Sequence, residues 1–169
     1  GAGGMVSALF ADDNGLDTLI LEKTDTYGGS SALSGGGLWI PVNHLMQREG
    51  VEDRIAKART YMEETVGDRV PQERQDAYLE YAREMAKWLE DNTEMEFTRM
   101  DGYSDYYPER PGGMSEGRGI EPIPFDGRKL EEEYENINSP EQSPPGPLSF
   151  TVQEFRDIGF VMTTWKGRK

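Results

Sequence analysis

Two glycine-rich stretches near the start of the chain constrain its fold more than any other feature. The first is Gly1-Ala2-Gly3-Gly4, and an apolar pattern with helical spacing follows it as far as Ala11, before a stop signal at Asn14-Gly15. Glycines let phosphates approach a backbone closely, and the first turn of a helix offers them free N–H groups and a positive dipole end. We therefore expect Gly1, Gly3 and Gly4 to bind a pyrophosphate at the start of a helix.

A short apolar run and an acid come next. Leu16–Leu21 is too brief for a helix and is bounded by turn residues, which predicts a buried parallel strand. Glu22 stands at the C-terminal end of that run, where an acid accepts hydrogen bonds from a ribose diol. This order is that of the second half of a dinucleotide-binding unit. The hydrophobic strand that ordinarily precedes such a glycine loop is absent before Gly1, so we expect the chain to be a fragment.

The second glycine-rich stretch carries a family resemblance. It comprises Lys23-Thr24-Asp25-Thr26-Tyr27-Gly28-Gly29-Ser30-Ser31 and Ser34-Gly35-Gly36-Gly37-Leu38-Trp39-Ile40-Pro41. These segments resemble the flavin-binding segments of the fumarate reductase and 3-ketosteroid dehydrogenase superfamily, and the Trp-Ile-Pro ending points to the ketosteroid branch. A flexible Gly/Ser linker is disfavoured, because a linker would not carry Leu38, Trp39 and Ile40.

The resemblance implies that the cofactor is FAD. The residues that match flavin-binding positions of the family are Lys23, Gly28, Gly29, Ser30, Ser31, Ser34 and Gly35. In the family the last six of these pass close to the pyrophosphate and the isoalloxazine of FAD. Backbone amides and small hydroxyls suit this task, because they donate hydrogen bonds without blocking a planar ring.

A tyrosine-rich passage in the middle of the chain carries the second part of the resemblance. Glu96–Met100 is a strand candidate, and the Tyr, Pro and Gly residues of 101–113 cannot form a regular helix. Its bulky aromatics are unlikely to extend into water, so we expect them to line a site. Asp105-Tyr106-Tyr107 and Gly117-Arg118-Gly119-Ile120-Glu121-Pro122 resemble a ketosteroid dehydrogenase segment. The resemblance implies that Tyr106 is an active-site hydroxyl that assists the proton-abstracting base; the alternative is that Tyr106 only packs or caps.

The remaining segments predict structure and no chemistry. Helical spacing predicts helices over 51–66 and from Pro71 to about Asn92, packed as an antiparallel pair. A proline-rich connection follows at 138–148, then a short helix over 152–159 and an apolar, β-prone run at 160–165. His44 is interpreted as a surface or loop histidine without an acidic partner. The acidic run at 131–135 is interpreted as a solvated face, and no metal site is predicted.

Charge and composition exclude several classes of function. The formal net charge is −14 with a pI near 4.5, so like-charge repulsion disfavours nucleic acid and anionic lipid as partners. The chain has no cysteine, which excludes disulfides, cysteine-ligated metals and thiol catalysis. No stretch approaches the roughly 20 apolar residues of a membrane span. We expect a cytoplasmic protein.

Together these features predict an α/β chain with a partial Rossmann-like FAD-binding fold and a helical insertion, lacking its first strand and its C-terminal half. The segments are 1–45 for FAD, 46–95 for a helical hairpin, and 96–169 for a loop-rich segment lining the active site. The resemblance implies a flavin-dependent oxidoreductase that dehydrogenates the A ring of 3-ketosteroids, with hydride passing to FAD N5 and a proton to a tyrosine base outside this segment. An electron acceptor is the second partner. The alternatives are a fumarate- or urocanate-reductase-like flavoprotein, or an inactive flavin-binding fragment.

Overall fold

The computed structural model describes residues 1–139 and 149–159, which form two compact units. The first unit comprises Gly1–Gly36 with the described part of Phe125–Leu148, and the second comprises Gly37–Pro124 with the described part of Ser149–Lys169. The predicted run at 160–165 and most of the proline-rich connection lie outside the described residues. The division into 1–45, 46–95 and 96–169 stays a prediction.

Helices dominate both units. The α-helices are α1 Ala2–Asp13, α2 Gly29–Ala32, α3 His44–Glu49, α4 Ile55–Thr65, α5 Gln72–Asn92 and α6 Val152–Gly159. The strands are β1 Leu38–Trp39, β2 Phe97–Arg99 and β3 Gly119–Pro122, and short 3-10 helices cover Gly67–Arg69 and Gly127–Asn136. The three strands form an antiparallel sheet of order β1-β3-β2, in which Trp39 stands opposite Gly119 and Arg99 opposite Ile120.

In the first unit α1 ends where the sequence predicts. Asn14 caps the helix, and Gly15 adopts a left-handed φ of 76° that reverses the chain. The next prediction is wrong in this structure. Leu16–Leu21 forms no strand, and Leu19 and Leu21 are 82% and 84% exposed. A strand is stable only beside a partner, and no described strand runs next to this segment.

In the second unit the predicted helix pair is confirmed as α4 and α5, which pack against each other. Pro71 caps the start of α5, as its fixed φ favours. Strand β2 and helix α6 also form where the sequence predicts. Helix α3 packs against β2. Two polar residues of this unit, Asn43 and Arg118, are fully buried, and its buried apolar side chains include Ile40, Leu45, Met46, Ala58, Leu79, Ala86, Leu89, Met114 and Ile120.

The interpretation of His44 is corrected by the structure. Asn43 caps α3 by accepting the Met46 N–H at 2.9 Å, which makes His44 the first residue of a helix rather than part of a loop. The His44 imidazole is mostly buried and pairs through Nε2 with the Glu90 carboxylate of α5. Two elements distant in sequence supply this pair, so neither local sequence reveals it.

Candidate functional site

The two glycine-rich stretches meet at the start of α1. The Ala2 N–H donates to Ser31 Oγ at 3.0 Å. A Cβ at Gly1 would lie 3.0 Å from Ser31 Oγ and 3.2 Å from the Gly28 carbonyl oxygen, so only glycine fits without displacing a neighbour. A Cβ at Gly29 would lie 3.7 Å from the Gly1 nitrogen. We call Gly1, Gly28, Gly29 and Ser31 the glycine cradle.

The other predicted cofactor residues lie near this cradle in the sequence, and several of them are uncrowded by other atoms. Gly3 and Gly4 lie in the first turn of α1, and no atom lies within 4 Å of where their Cβ atoms would be. Ser34 Oγ donates to the Ser31 carbonyl at 2.8 Å and accepts the Gly36 N–H at 3.1 Å, which fixes the end of the second loop. Ser30 and Gly35 are exposed. The Ala2 N–H donates to Ser31 Oγ and the Gly4 N–H to the Gly1 carbonyl at 3.1 Å, so what the cradle offers a pyrophosphate is close backbone approach and the positive end of the helix dipole.

Glu22 is held in a charged, ordered state by the residues that follow it. Its Oε1 accepts the backbone N–H groups of Lys23 at 2.7 Å and Thr24 at 3.1 Å, and the Thr24 hydroxyl at 3.1 Å. The Thr24 and Lys23 N–H groups lower the pKa of the Glu22 carboxyl below 4.5. A carboxylate held in this way can still accept hydrogen bonds from a ribose.

Tyr106 differs from its neighbours in exposure. Its side chain is 82% exposed, so the prediction that this aromatic would be covered is wrong in this structure. Asp105, directly before it, is only 3% exposed. The Tyr107 N–H donates to the Tyr61 hydroxyl at 3.1 Å, and burial raises the pKa of Tyr61 above 10.0, which keeps that phenol neutral. The backbone around Tyr106 is thus fixed while its side chain extends outward.

A buried ionic cluster that sequence reasoning missed lies beneath this tyrosine. The Arg118 guanidinium is fully buried and donates to both oxygens of Asp53, at 2.8 and 2.9 Å. It also donates to Asp105 Oδ2 at 2.5 Å and to the Gly112 carbonyl at 3.0 Å. Trp39 Nε1 donates to Asp105 Oδ1 at 2.8 Å. We call Arg118, Asp53, Asp105 and Trp39 the Arg118 cluster.

The Arg118 cluster holds together the two ends of the loop 105–114, which we call the tyrosine-bearing loop because it contains Tyr106 and Tyr107. Asp105 and Met114 exchange two hydrogen bonds: the Asp105 N–H donates to the Met114 carbonyl at 3.0 Å, and the Met114 N–H donates to Asp105 Oδ2 at 3.1 Å. Asp53 also accepts the Val42 N–H at 3.2 Å. The sequence offered one signal for this arrangement, since Asp105 and Arg118 both fall within the segments that carry the family resemblance.

Within the described residues, no group of three or more His, Asp or Glu side chains could hold a metal ion. The predicted acidic run at 131–135 is exposed to solvent, as the sequence indicates. Nor does any helix of the described part of the chain have the length and apolar character needed to cross a membrane.

A glycine cradle at the start of a helix, with a charged acid following the next extended segment, is the arrangement of a dinucleotide-binding protein. The family model of the FAD binding domain matches residues 1–145, and the chain belongs to that family. The cofactor expected from the sequence is therefore the cofactor of the family, and the fold is of the FAD-binding flavoprotein type.

Comparison with individual proteins shows which members of the family this chain resembles. The 3-oxosteroid 1-dehydrogenase of Mycolicibacterium smegmatis is 43% identical over 155 residues, which make up 92% of this chain and 27% of that protein. The crystal structure of 3-ketosteroid delta1-dehydrogenase from Sterolibacterium denitrificans, in complex with 1,4-androstadiene-3,17-dione, covers 98% of this chain at 35% identity with a TM-score of 0.84. A urocanate reductase of Eggerthella lenta is 39% identical over only 57 residues, or 34% of this chain. The chain spans 29% of the crystallised relative.

Proposed function

We propose that this chain forms the FAD-binding part of a flavin-dependent 3-ketosteroid Δ1-dehydrogenase. The observation that carries the proposal is the extent of the structural likeness. It covers 98% of the chain and therefore includes both the glycine cradle and the segment that presents Tyr106. The likeness to urocanate reductase covers 34% of the chain, so it does not favour the reductase alternative to the same degree.

The residues present fit an FAD. The glycine cradle and the first turn of α1 supply close backbone approach and the positive end of a helix dipole for a pyrophosphate, and the Glu22 carboxylate supplies the acceptor for a ribose. Lys23, Ser30, Ser34 and Gly35 extend this candidate site along the second loop. We also propose that residues 1–45 form part of a Rossmann-like fold. When bound, FAD supplies the hydride acceptor for the dehydrogenation.

The group that this chain would contribute to the reaction is the phenol of Tyr106. Dehydrogenation next to a ketone removes a proton from one carbon and a hydride from its neighbour, and the carbon–carbon double bond forms between them. A phenolic base is weak at neutral pH, because an ordinary tyrosine with a pKa of about 10 is almost wholly protonated. A second phenol that donates a hydrogen bond to the forming phenolate favours its charged form. Tyr106 is the residue we assign to that role, with the base itself outside this segment.

The test is Tyr106→Phe in the full-length protein that carries this chain. Only one exposed oxygen is lost, so the fold and the flavin spectrum should be retained. Flavin reduction by 4-androstene-3,17-dione, followed by stopped flow, should slow by about 10²- to 10⁴-fold, the usual scale for proton-transfer assistance.

The matched control is Tyr103→Phe. Tyr103 is close by in the chain and is 40% exposed, but it lies outside the segments that carry the resemblance to ketosteroid dehydrogenases, so its variant should reduce flavin at nearly the wild-type rate. A Tyr106→Phe protein as fast as wild type would make Tyr106 a packing residue. If the steroid reduces the flavin of neither the wild type nor the variants, and a carboxylate such as urocanate is turned over instead, the reductase alternative is favoured. A cytoplasmic location and an electron acceptor as the second partner stay predictions.

A further inference from the structure

The exposed tyrosine and the buried ionic cluster are joined by a single peptide bond. Asp105 belongs to the Arg118 cluster, and Tyr106 is the next residue. On the other side of Tyr106, the Tyr107 N–H is held by Tyr61, whose ring lies 5.8 Å beneath the Arg118 guanidinium. The main chain is therefore fixed on both sides of a side chain that is itself 82% exposed.

We propose that the Arg118 cluster is the positioning element for Tyr106, with Asp105 as the residue through which it acts. This inference rests on the proposed function. A hydroxyl that assists proton transfer must be held within a fraction of an ångström of its productive place, because misplacement by about 1 Å can cost roughly 100-fold in rate. The described residues leave the Tyr106 side chain 82% exposed, so what they contribute to its placement is the fixed backbone on either side of it.

The chemistry of Asp105 explains why a carboxylate is needed there. Oδ1 accepts the Trp39 indole N–H, and Oδ2 accepts both Arg118 Nη1 and the Met114 N–H. Both oxygens thus face donors. Asparagine has the same shape but carries an NH₂ in place of one oxygen, so whichever way the amide is turned, one donor faces another.

Arg118 is equally specific in its geometry. It makes four hydrogen bonds through three nitrogens, two to Asp53, one to Asp105 and one to the Gly112 carbonyl at the far end of the loop. A lysine keeps the charge but cannot reproduce this planar fork. The guanidinium therefore ties both ends of the tyrosine-bearing loop to Asp53, which precedes α4.

The kinetic test is a double-mutant cycle on Asp105→Asn and Tyr106→Phe in the FAD-loaded full-length protein, with 4-androstene-3,17-dione as reductant. Asp105→Asn should slow stopped-flow flavin reduction by about tenfold or more, while the steroid dissociation constant changes by less than about twofold. In the Tyr106→Phe background the same change should have almost no further effect, since the group that it positions is gone.

If Asp105 only stabilises the fold, the double-mutant cycle should give a different result. Losses that multiply in the double variant, or an Asp105→Asn protein that reduces its flavin at the wild-type rate, would overturn the inference while leaving the proposed function intact. A Tyr106→Phe protein as fast as wild type would instead remove the proposed role of Tyr106. If Asp105→Asn does not fold, Trp39→Phe takes its place, because it removes the hydrogen bond to Asp105 Oδ1 while keeping an aromatic ring beside Tyr61, Tyr78 and Arg118.

A second measurement does not depend on turnover. Backbone hydrogen exchange at Asp105 and Met114 should become faster in Arg118→Lys, since their mutual hydrogen bonds close the loop beside the guanidinium. The matched control is Arg99→Lys. Arg99 is also buried and likewise pairs with two carboxylates and one backbone carbonyl, those of Glu49, Asp101 and Glu116. Equal exchange at Asp105 in the two variants would show that Arg118 does not hold the loop.

Discussion

Glu22 shows how a side chain is kept in its charged form by the residues that follow it in the sequence. Three donors from Lys23 and Thr24 converge on one carboxylate oxygen, and they lower the carboxyl pKa below 4.5. A lowered pKa means that the charged form is present above the ordinary value and is lost only as the pH falls through the lowered one. The acid is therefore fully ionised over the physiological range.

The first prediction concerns this acid in the full-length protein. Glu22→Ala should weaken FAD affinity by about tenfold or more, because a charge-assisted hydrogen bond to the ribose is lost. Glu22→Asp keeps the charge on a shorter arm, so it should weaken affinity less. Flavin fluorescence titration measures both, and on acidification the contribution of Glu22 should be lost only as the pH falls through its lowered pKa. Equal dissociation constants for wild type and Glu22→Ala would remove the ribose assignment.

A second residue-scale prediction compares two glycines that differ in surroundings but not in backbone. Gly117 and Gly50 have φ of 74° and 71°, both left-handed. A Cβ at Gly117 would lie 1.7 Å from the Tyr103 carbonyl oxygen, whereas a Cβ at Gly50 meets nothing within 4 Å. Gly50→Ala should cost about 1–2 kcal/mol of unfolding free energy, which is the backbone strain alone. Gly117→Ala should cost about 4 kcal/mol or more.

Urea denaturation of the two glycine variants, measured side by side, gives both values. Similar losses would show that the close approach of Tyr103 to Gly117 is absent in solution. A larger loss for Gly117→Ala would support the tight turn that separates the tyrosine-bearing loop from β3.

At the scale of elements, Glu90 links three parts of the second unit. Its Oε2 pairs with His44 of α3, and its Oε1 accepts the Phe97 N–H of β2 at 3.0 Å. Its side chain is 17% exposed, so removing it leaves buried donors without partners. Glu90→Ala should therefore lower the free energy of unfolding by about 1–3 kcal/mol.

The control for Glu90 lies one residue further along α5. Asp91 pairs with Lys87 at 2.7 Å, but both side chains are more than half exposed. Asp91→Ala should change the free energy of unfolding by less than about 0.5 kcal/mol, because exposed ion pairs of this spacing contribute little. Equal effects of the two variants would mean that Glu90 does not join α3, α5 and β2.

The elements that the sequence predicts correctly are those set by local chemistry. Apolar spacing and Pro71 are sufficient for α4 and α5, and Asn14-Gly15 for the end of α1. The wrong predictions depend on partners distant in sequence. Leu16–Leu21 has the composition of a strand, yet no described strand pairs with it.

The same distinction holds for the candidate site. The spacing of the glycines and the acid after an apolar run are enough to predict a cofactor site at the glycine cradle and Glu22, because all of these residues lie within about 30 positions of one another in the sequence. The Arg118 cluster joins Asp53, Asp105 and Arg118 from three separate segments. A charged residue that is buried in an ion pair cannot be told apart in the sequence from a charged residue on the surface, so no local pattern predicts the cluster.

For the molecule as a whole, net charge and exposed apolar surface act together. A formal charge of −14 repels anions overall, so the proposed pyrophosphate site at the glycine cradle would depend on neutral backbone groups and a helix dipole. The first unit also exposes a run of large apolar side chains. They are Met5, Leu9, Phe10, Leu16, Leu19, Ile20, Leu21 and Leu33. Large apolar side chains exposed in such number ordinarily contact protein.

The last prediction therefore concerns the 169-residue chain produced alone. Its Leu16–Leu21 segment has no described strand to pair with, so the loop that begins at Glu22 lacks a fixed support and should bind FAD poorly. Flavin absorbance of the purified chain should correspond to far less than one FAD per chain, and a hydrophobic dye should bind to the exposed leucines. Purification of a yellow chain with stoichiometric flavin would contradict this, and would show that α1 and the glycine cradle suffice to hold the cofactor.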